Sequence, residues 1–177
     1  MSLQNQNSLF KRINKIKEEG IITEEVAKKL KKHSLLYEQN RSEKIWFCFF
    51  KPYLVPERGI SHFFKYWGGE ALYKPYMYNQ NNQIILDKLK RIGTPCIIKA
   101  KVPMNKLDDR SLPDEKMFMS FLKYKGHKIS NSIDHEAYCT EIIPSDNILD
   151  IFQYPSKKFI ELSKCNKWDE STLSDYA

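Results

Sequence analysis

The spacing of apolar and polar residues predicts two short helices at the N-terminus. Apolar residues recur every three or four positions over residues 8–19 and again after Thr23. Gly20 is the expected stop of the first helix. Thr23 is the expected N-cap of the second, and Glu24 and Glu25 follow it where the helix dipole favours acids. The N-terminal part of the chain is therefore predicted to be a helix pair.

Three apolar segments are predicted to be strands. Residues 45–50 are a continuous aromatic and apolar run, residues 96–102 alternate between apolar and polar, and residues 136–143 are rich in strand-forming residues. A proline, which cannot donate to a strand ladder, follows each segment: Pro52, Pro103 and Pro144.

Further helices are predicted between and after these strands. Helical spacing covers residues 60–67, 84–92 and 114–125. The apolar residues of the last segment are expected to face inward: Met117, Phe118, Phe121 and Leu122. Residues 70–73 are predicted to be a short strand. Ser145 is expected to cap a short helix that carries Ile148, Leu149 and Phe152.

The order of these elements predicts the α+β class. Strands and helices alternate, but too few strands are spaced for βαβ units, which disfavours a doubly wound sheet. The 177 residues fit one domain over residues 8–163, with a loosely ordered tail over residues 164–177. No run approaches the roughly 18 apolar residues of a membrane span. The N-terminus has no signal-peptide core, so a cytoplasmic protein without membrane contact is predicted.

Composition favours a polyanionic partner and disfavours metal. The net charge of +7 is typical of proteins that bind nucleic acids or nucleotides, although other proteins share it. The histidines lack a metal-ligand spacing, so no metal is predicted. The cysteines form no Cys-x-x-Cys pair and are expected to be buried free thiols: Cys48, Cys96, Cys139 and Cys165.

The most unusual segment is residues 59–73, which places aromatic residues around a Gly-Gly pair. One interpretation is the wall of a nucleotide pocket, because glycines permit close approach to a ligand and aromatic faces stack on its rings. The other is a helix C-cap whose aromatic residues belong to the core. Around the pair Gly68 and Gly69 the segment contains His62, Lys65 and Glu70, the core candidates Phe63, Phe64 and Trp67, and the tyrosines Tyr66 and Tyr73.

Two acids of the last predicted strand are candidates for chemistry. A carboxylate at the mouth of a strand can orient a ribose hydroxyl or stabilise an oxocarbenium-like transition state. Glu136 begins this strand, and Glu141 is a competitor within it. The alternative is an edge-strand acid in water.

Four segments carry a family resemblance that covers most of residues 9–152. Residues 13–21 (INKIKEEGI) end a helix and precede an aromatic strand that contains residues 46–48 (WFC). Residues 102–107 (VPMNKL) end a strand, and residues 136–148 (EAYCTEIIPSDNI) contain the last strand. Their order resembles the ADP-ribosyltransferase fold, as in its DNA- and tRNA-modifying branches. The family patterns are I-x-x-x-G-L, V-P-x-x-x-L and E-x-x-x-x-x-I-P-x-x-x-I.

The resemblance implies an enzyme that uses NAD as a substrate. It would release nicotinamide and transfer ADP-ribose to an acceptor, either a nucleic acid or a protein, with Glu136 as the catalytic carboxylate. It also implies a central, partly split mixed sheet flanked by short helices. The nicotinamide side would be held by Tyr66, Trp67 and Tyr73, above the turn of Gly68 and Gly69.

The sequence departs from the family in one respect. The family's first strand precedes the helix and carries His or Arg followed by Gly or Thr, and nothing in residues 1–7 fits. Arg41 and His62 are the candidate substitutes.

Two non-catalytic functions are alternatives. The N-terminal helix pair resembles the opening of a helix-turn-helix, and its lysines could lie against phosphates: Lys28, Lys29, Lys31 and Lys32. Glu24 and Glu25 would repel the same phosphates, which favours a solvated charged face. The second alternative is a protein-interaction module without catalysis. The sequence leaves the oligomeric state open.

Overall fold

In the computed structural model the chain forms short helices and short strands. The described residues are 5–38, 41–48, 60–77, 82–90, 92–108, 112–129 and 136–167. The end of the first predicted strand (residues 49–50) and most of the predicted tail (residues 168–177) lie outside them.

The chain begins with the predicted helix pair. α1 spans Gln6–Glu18 and starts two residues earlier than predicted, because the side chain of Asn5 accepts a backbone N–H of the first turn. Gly20, with a φ of 72°, ends it. α2 spans Glu24–Lys32, and Thr23 is its N-cap, as predicted.

Three short helices follow in the middle of the chain. They are α3 (Ile60–Lys65), α4 (Glu70–Tyr73) and α5 (Gln83–Lys90). The prediction of a strand at α4 is wrong, because the Gly69 carbonyl accepts two backbone N–H groups from α4 and closes a helical turn. The segment is too short for its composition to distinguish a turn of helix from a strand.

α6 spans Pro113–Tyr124 and is far more exposed than predicted. The prediction that Phe118 and Phe121 face inward is wrong, because 61% and 50% of their surfaces are exposed. Met117 and Leu122 are half-buried. After its first residue no position of this helix is buried, so its aromatic side chains do not form a core face.

The described strands form two small antiparallel sheets. In the first sheet β1 pairs with β3, with Ile45 opposite Cys139. In the second sheet β2 pairs with β4. The four strands are β1 (Ile45–Cys48), β2 (Cys96–Ala100), β3 (Glu136–Cys139) and β4 (Ile148–Gln153).

The prediction of a helix after Ser145 is also wrong. Ser145–Asn147 is a single 3₁₀ turn, and the apolar run behind it is β4. Hydrogen bonds to β2 and its extension stabilise the extended form, including the one from the Tyr154 N–H to the Pro95 carbonyl (2.9 Å). α7 (Lys157–Ser163) follows β4.

The described residues form two compact units. The first unit contains residues 43–48, 98–108, 112–129 and 136–150; the second contains residues 5–38, 41–42, 60–77, 82–90, 92–97 and 151–167. The predicted α+β class is confirmed at this level. The predicted single domain, residues 8–163, includes parts of both units and stays a prediction.

Each unit has apolar clusters of its own. The first unit's core includes Ile45, Leu107, Ala137, Cys139 and Ile143. The second unit's main core is built by α1, α2, α4, α5 and the residues that follow α3, and its least exposed members are Ile13, Leu30, Leu72 and Leu89. A smaller cluster in the second unit surrounds Phe159, which is fully buried.

Candidate nucleic-acid interface

The predicted cofactor residues lie in the second unit, around the junction of α3 and α4. The ring of His62 lies parallel to that of Tyr66 at 6.1 Å and is tilted against that of Tyr73 at 6.2 Å. The two tyrosine rings are 5.3 Å apart. Only 8% of Tyr66 and 5% of Tyr73 is exposed, and both belong to the main core of this unit. The structure thus brings these three residues together as packing partners.

Gly68 and Gly69 form the turn that connects α3 to α4. Their φ angles are 81° and 71°, a region that favours glycine. A Cβ atom on Gly68 would lie 2.3 Å from Cδ1 of Leu72, which is fully buried. A Cβ atom on Gly69 would lie 3.3 Å from Cε2 of Phe63. The turn and these close approaches account for both glycines as parts of the fold.

Trp67 and His62 differ in exposure from the tyrosines. Trp67 is half-buried against the main core, and its backbone N–H donates to the carbonyl of Leu89 (3.1 Å). His62 is also half-buried. Burial lowers the pKa of His62 below its ordinary value of 6.5, and the positive charge of Lys65 lowers it further, so both effects favour the neutral imidazole.

The two candidate carboxylates lie in the first unit. The backbone of Glu136 is opposite Cys48 in the β1–β3 ladder. Glu141 follows β3 and is exposed. Its carboxylate accepts a hydrogen bond from Nζ of Lys106 (2.6 Å). This ion pair engages Glu141, whereas Glu136 stays the predicted catalytic residue.

Arg41, a candidate substitute for the family's first-strand residue, belongs to an ion network of the second unit. Its Nη1 and Nη2 donate to the two carboxylate oxygens of Glu70 at 2.6 and 3.1 Å, and its Nε donates to Glu38 at 2.8 Å. Lys74 also donates to Glu70. The hydrogen bonds from Arg41, with help from Lys74, lower the pKa of Glu70 to about 2. Arg41 therefore ties the segment after α2 to α4.

The lysines of the N-terminal helix pair have acidic neighbours. Lys17 and Lys28 both contact Glu24, at 3.1 and 3.9 Å, and Lys29 contacts Glu25 at 2.8 Å. Exposed ion pairs of this kind add little stability, but they reduce the positive potential that a phosphate would meet. α2 therefore does not present the acid-free stripe that a nucleic-acid site on this helix requires.

A basic aromatic surface that was not predicted lies at the C-terminal end of α6, in the first unit. Tyr124, the last helical residue, is 85% exposed, and Phe121 lies one turn before it. Residues 116–129 contain four lysines and no Asp or Glu. We define the α6 basic surface as these exposed residues: Phe121, Lys123, Tyr124, Lys125, His127 and Lys128.

A regular helix C-cap fixes the backbone of this surface. Gly126 has a φ of 90°, and its N–H donates to the carbonyl of Lys123 (3.1 Å). The N–H of His127 donates to the carbonyl of Leu122 (3.1 Å), which completes a Schellman motif. The cations at this end also complement the helix dipole. The local backbone thus sets where the basic side chains emerge.

The sequence did contain a signal for this surface. Lysines and aromatic residues are interleaved over residues 121–128, and no acid occurs from residue 116 to residue 133. Interleaving of this kind is typical of surfaces that bind nucleic acids. Because the apolar spacing predicts that Phe118 and Phe121 face a core, the interleaving alone does not identify these rings as surface residues.

The first unit also carries an exposed aromatic ring on the β1–β3 sheet. Trp46 is 46% exposed, and its ring centroid lies 4.8 Å from that of Tyr138. Nζ of Lys44 lies 4.4 Å from the centre of the Tyr138 ring. Aromatic and cationic groups therefore meet at this sheet as well.

The described residues offer few sites for other chemistry. None of their His, Cys, Asp and Glu side chains form a group of three or more that could hold a metal ion. In the same part of the chain, no helix is both long and apolar enough to cross a membrane. Cys139 is buried as predicted, whereas Cys48 and Cys96 are exposed and Cys165 is half-buried.

Comparisons of the chain with protein-family models, with curated proteins and with solved structures found no significant match.

Proposed function

We propose that this protein binds nucleic acid through the α6 basic surface. The observation that carries the proposal is the exposure of lysines and aromatic rings together in a segment without acids. Ammonium groups pair with phosphates and release counterions, and exposed rings offer stacking faces to bases. The net charge of +7 favours the same class of partner.

The α6 basic surface fits this function better than the predicted N-terminal helix pair does. On α2, Lys28 and Lys29 each contact a glutamate one turn earlier. On α6, the acids Asp114 and Glu115 are confined to the first turn, at the opposite end from the basic surface. Of these two helices, α6 is therefore the one whose basic end is separated in sequence from its acids, since residues 116–129 contain no Asp or Glu.

The test is a triple substitution of Lys123, Lys125 and Lys128 by glutamine. We expect an oligonucleotide to bind about tenfold more weakly at low salt, measured by fluorescence anisotropy. The dependence of log K on log salt should flatten by about 2, because each lost phosphate contact removes roughly 0.7–0.9 from the slope.

The matched control replaces Lys28, Lys29 and Lys32 on α2 by glutamine, which removes the same charge from the other unit. We expect this variant to keep the affinity and the salt dependence of the wild type more closely. An equal loss in both variants, or no binding by the wild type at low salt, would contradict the proposal.

ADP-ribosyl transfer from NAD is a second candidate function. The sequence resemblance supports it, and so does the half-buried imidazole of His62, which lies against the rings of Tyr66 and Tyr73. The catalytic carboxylate would be Glu136, and the α6 basic surface would suit a nucleic-acid acceptor. A protein acceptor fits the resemblance equally well.

Nicotinamide release and thermal unfolding with NAD test this second candidate. A ligand at roughly 100 times its dissociation constant adds about 2.7 kcal/mol to the free energy of unfolding, so NAD should raise the unfolding midpoint. We expect Glu136→Ala to abolish nicotinamide release and Glu141→Ala to retain it, because Glu141 is paired with Lys106. An unchanged midpoint in millimolar NAD would exclude the transferase.

A further inference from the structure

The two rings of the α6 basic surface are the starting point for a narrower assignment. Tyr124 is 85% exposed and Phe121 is 50% exposed, and they lie three residues apart on the last turn of α6. Large aromatic side chains usually bury most of their surface on folding, so two exposed rings at one end of a helix are unusual. Duplex and single-stranded nucleic acid differ in the groups that they offer to these rings, and this difference distinguishes the two as ligands.

Double-stranded nucleic acid offers little to these rings. In a duplex each base face is covered by its neighbours, and only base edges are accessible in the grooves. Edges are read by hydrogen-bonding groups such as guanidinium and carboxamide side chains. The α6 basic surface has lysines, which can reach phosphates or guanine edges, but it has no guanidinium or carboxamide group. A duplex would therefore use its lysines and leave its rings without partners.

An unpaired strand uses both kinds of side chain. Its exposed base faces stack on aromatic rings, which strengthens binding roughly tenfold or more for each base, whatever its identity. Nζ of Lys125 lies 5.5 Å from the centre of the Phe121 ring. An ammonium group at that distance can meet the phosphate of a nucleotide whose base stacks nearby.

The same interleaving disfavours a membrane surface. Helices that lie on membranes separate an apolar face from a cationic face, so that rings enter the lipid while lysines stay at the headgroups. Here the side chain of Lys125 lies over the ring of Phe121, and Lys123 precedes Tyr124 directly. Insertion of these rings would carry a lysine with them.

We propose that the α6 basic surface binds single-stranded nucleic acid in preference to duplex, with Tyr124 and Phe121 as stacking platforms for bases. This assignment rests on the proposed nucleic-acid binding. The lysines hold the backbone without regard to sequence, and the rings select unpaired bases.

The test compares a labelled oligothymidylate with a duplex of equal length and with anionic phospholipid vesicles. The wild type should bind the single strand about tenfold or more tightly than the duplex. Tyr124→Ala should weaken single-strand binding about tenfold and leave duplex binding unchanged, whereas Tyr124→Phe should retain the wild-type affinity. Unchanged unfolding midpoints would show that both variants are folded, as expected for so exposed a residue.

The control is Tyr37→Ala, because Tyr37 is another tyrosine with high exposure (64%) and lies in the second unit. It should bind both oligonucleotides like the wild type. Equal affinity for both forms, with no effect of Tyr124→Ala, would overturn the single-strand assignment and leave nucleic-acid binding in place. Failure to bind either form would overturn both, as would binding to vesicles alone.

Discussion

Replacing Gly68 by alanine is expected to lower the free energy of unfolding by about 3 kcal/mol. Part of this loss comes from the φ of 81°, which a residue with a Cβ adopts only with strain. The rest comes from overlap, because the new Cβ would lie 2.3 Å from Cδ1 of Leu72. Leu72 is fully buried in the main core of the second unit and cannot move away without repacking. Urea unfolding measures the change.

Gly20→Ala is the matched control for this prediction. Gly20 has a similar φ of 72°, but among the described residues nothing beyond its own chain neighbours and helix lies within 4 Å of the position that a Cβ would take. We therefore expect only the backbone cost, about 1–2 kcal/mol. Equal losses at the two positions would show that contact with Leu72 does not constrain the turn. That result would reopen the interpretation of Gly68 as a residue kept small for a ligand.

Replacing Glu70 by glutamine is expected to lower the free energy of unfolding by about 2 kcal/mol at pH 7. Glutamine cannot accept the paired donors of Arg41 as a carboxylate does, and Lys74 loses its partner. The expected loss is smaller than the full depression of the Glu70 pKa implies. More than a third of this side chain is exposed to water, which screens its charge.

The effect of Glu70→Gln should depend on pH in a defined direction. The folded state holds the pKa of Glu70 at about 2, below its ordinary value of 4.5. The contribution of the carboxylate is therefore complete above pH 4.5 and is lost as the pH falls through 2. The difference in unfolding free energy between wild type and variant should shrink over that interval in urea titrations at fixed pH.

Glu25→Gln is the control for the ion network. Glu25 contacts Lys29 at 2.8 Å, but both side chains are largely exposed, so no measurable change in stability is expected. If the difference in unfolding free energy between the wild type and Glu70→Gln did not change with pH, the role assigned to the Glu70 carboxylate would be contradicted.

These two predictions also bear on the choice between the candidate functions. Gly68, Tyr66 and Tyr73 have structural partners in the second unit, and Arg41 is held by Glu70. Substitution at these positions would lower the stability of the protein, and this loss would obscure any effect on ligand binding. The exposed residues of the α6 basic surface can be replaced without disturbing a core, so the nucleic-acid proposal is the easier one to test cleanly.

The local features of the fold were predictable from the sequence. Thr23 caps α2 and Gly20 ends α1, as their positions in the sequence predicted. The segments at residues 45–48 and 96–100 are strands, so the α+β class followed from composition and periodicity. Capping and periodicity depend on contacts within a few residues, and the sequence displays those contacts directly.

The tertiary structure decided which partners and which faces each element has. The run behind Ser145 became β4 because hydrogen bonds to β2 stabilise the extended form. Arg41 is bound to Glu70, 29 residues away, and Lys106 to Glu141, 35 residues away. Periodicity shows that α6 has an apolar stripe, but only the packing of distant segments determines whether that stripe is covered. For this reason the sequence by itself determined the helix caps, most of the elements and the charge of this protein. The tertiary structure decided that residues 148–153 are a strand and that Phe121 and Tyr124 face solvent among lysines.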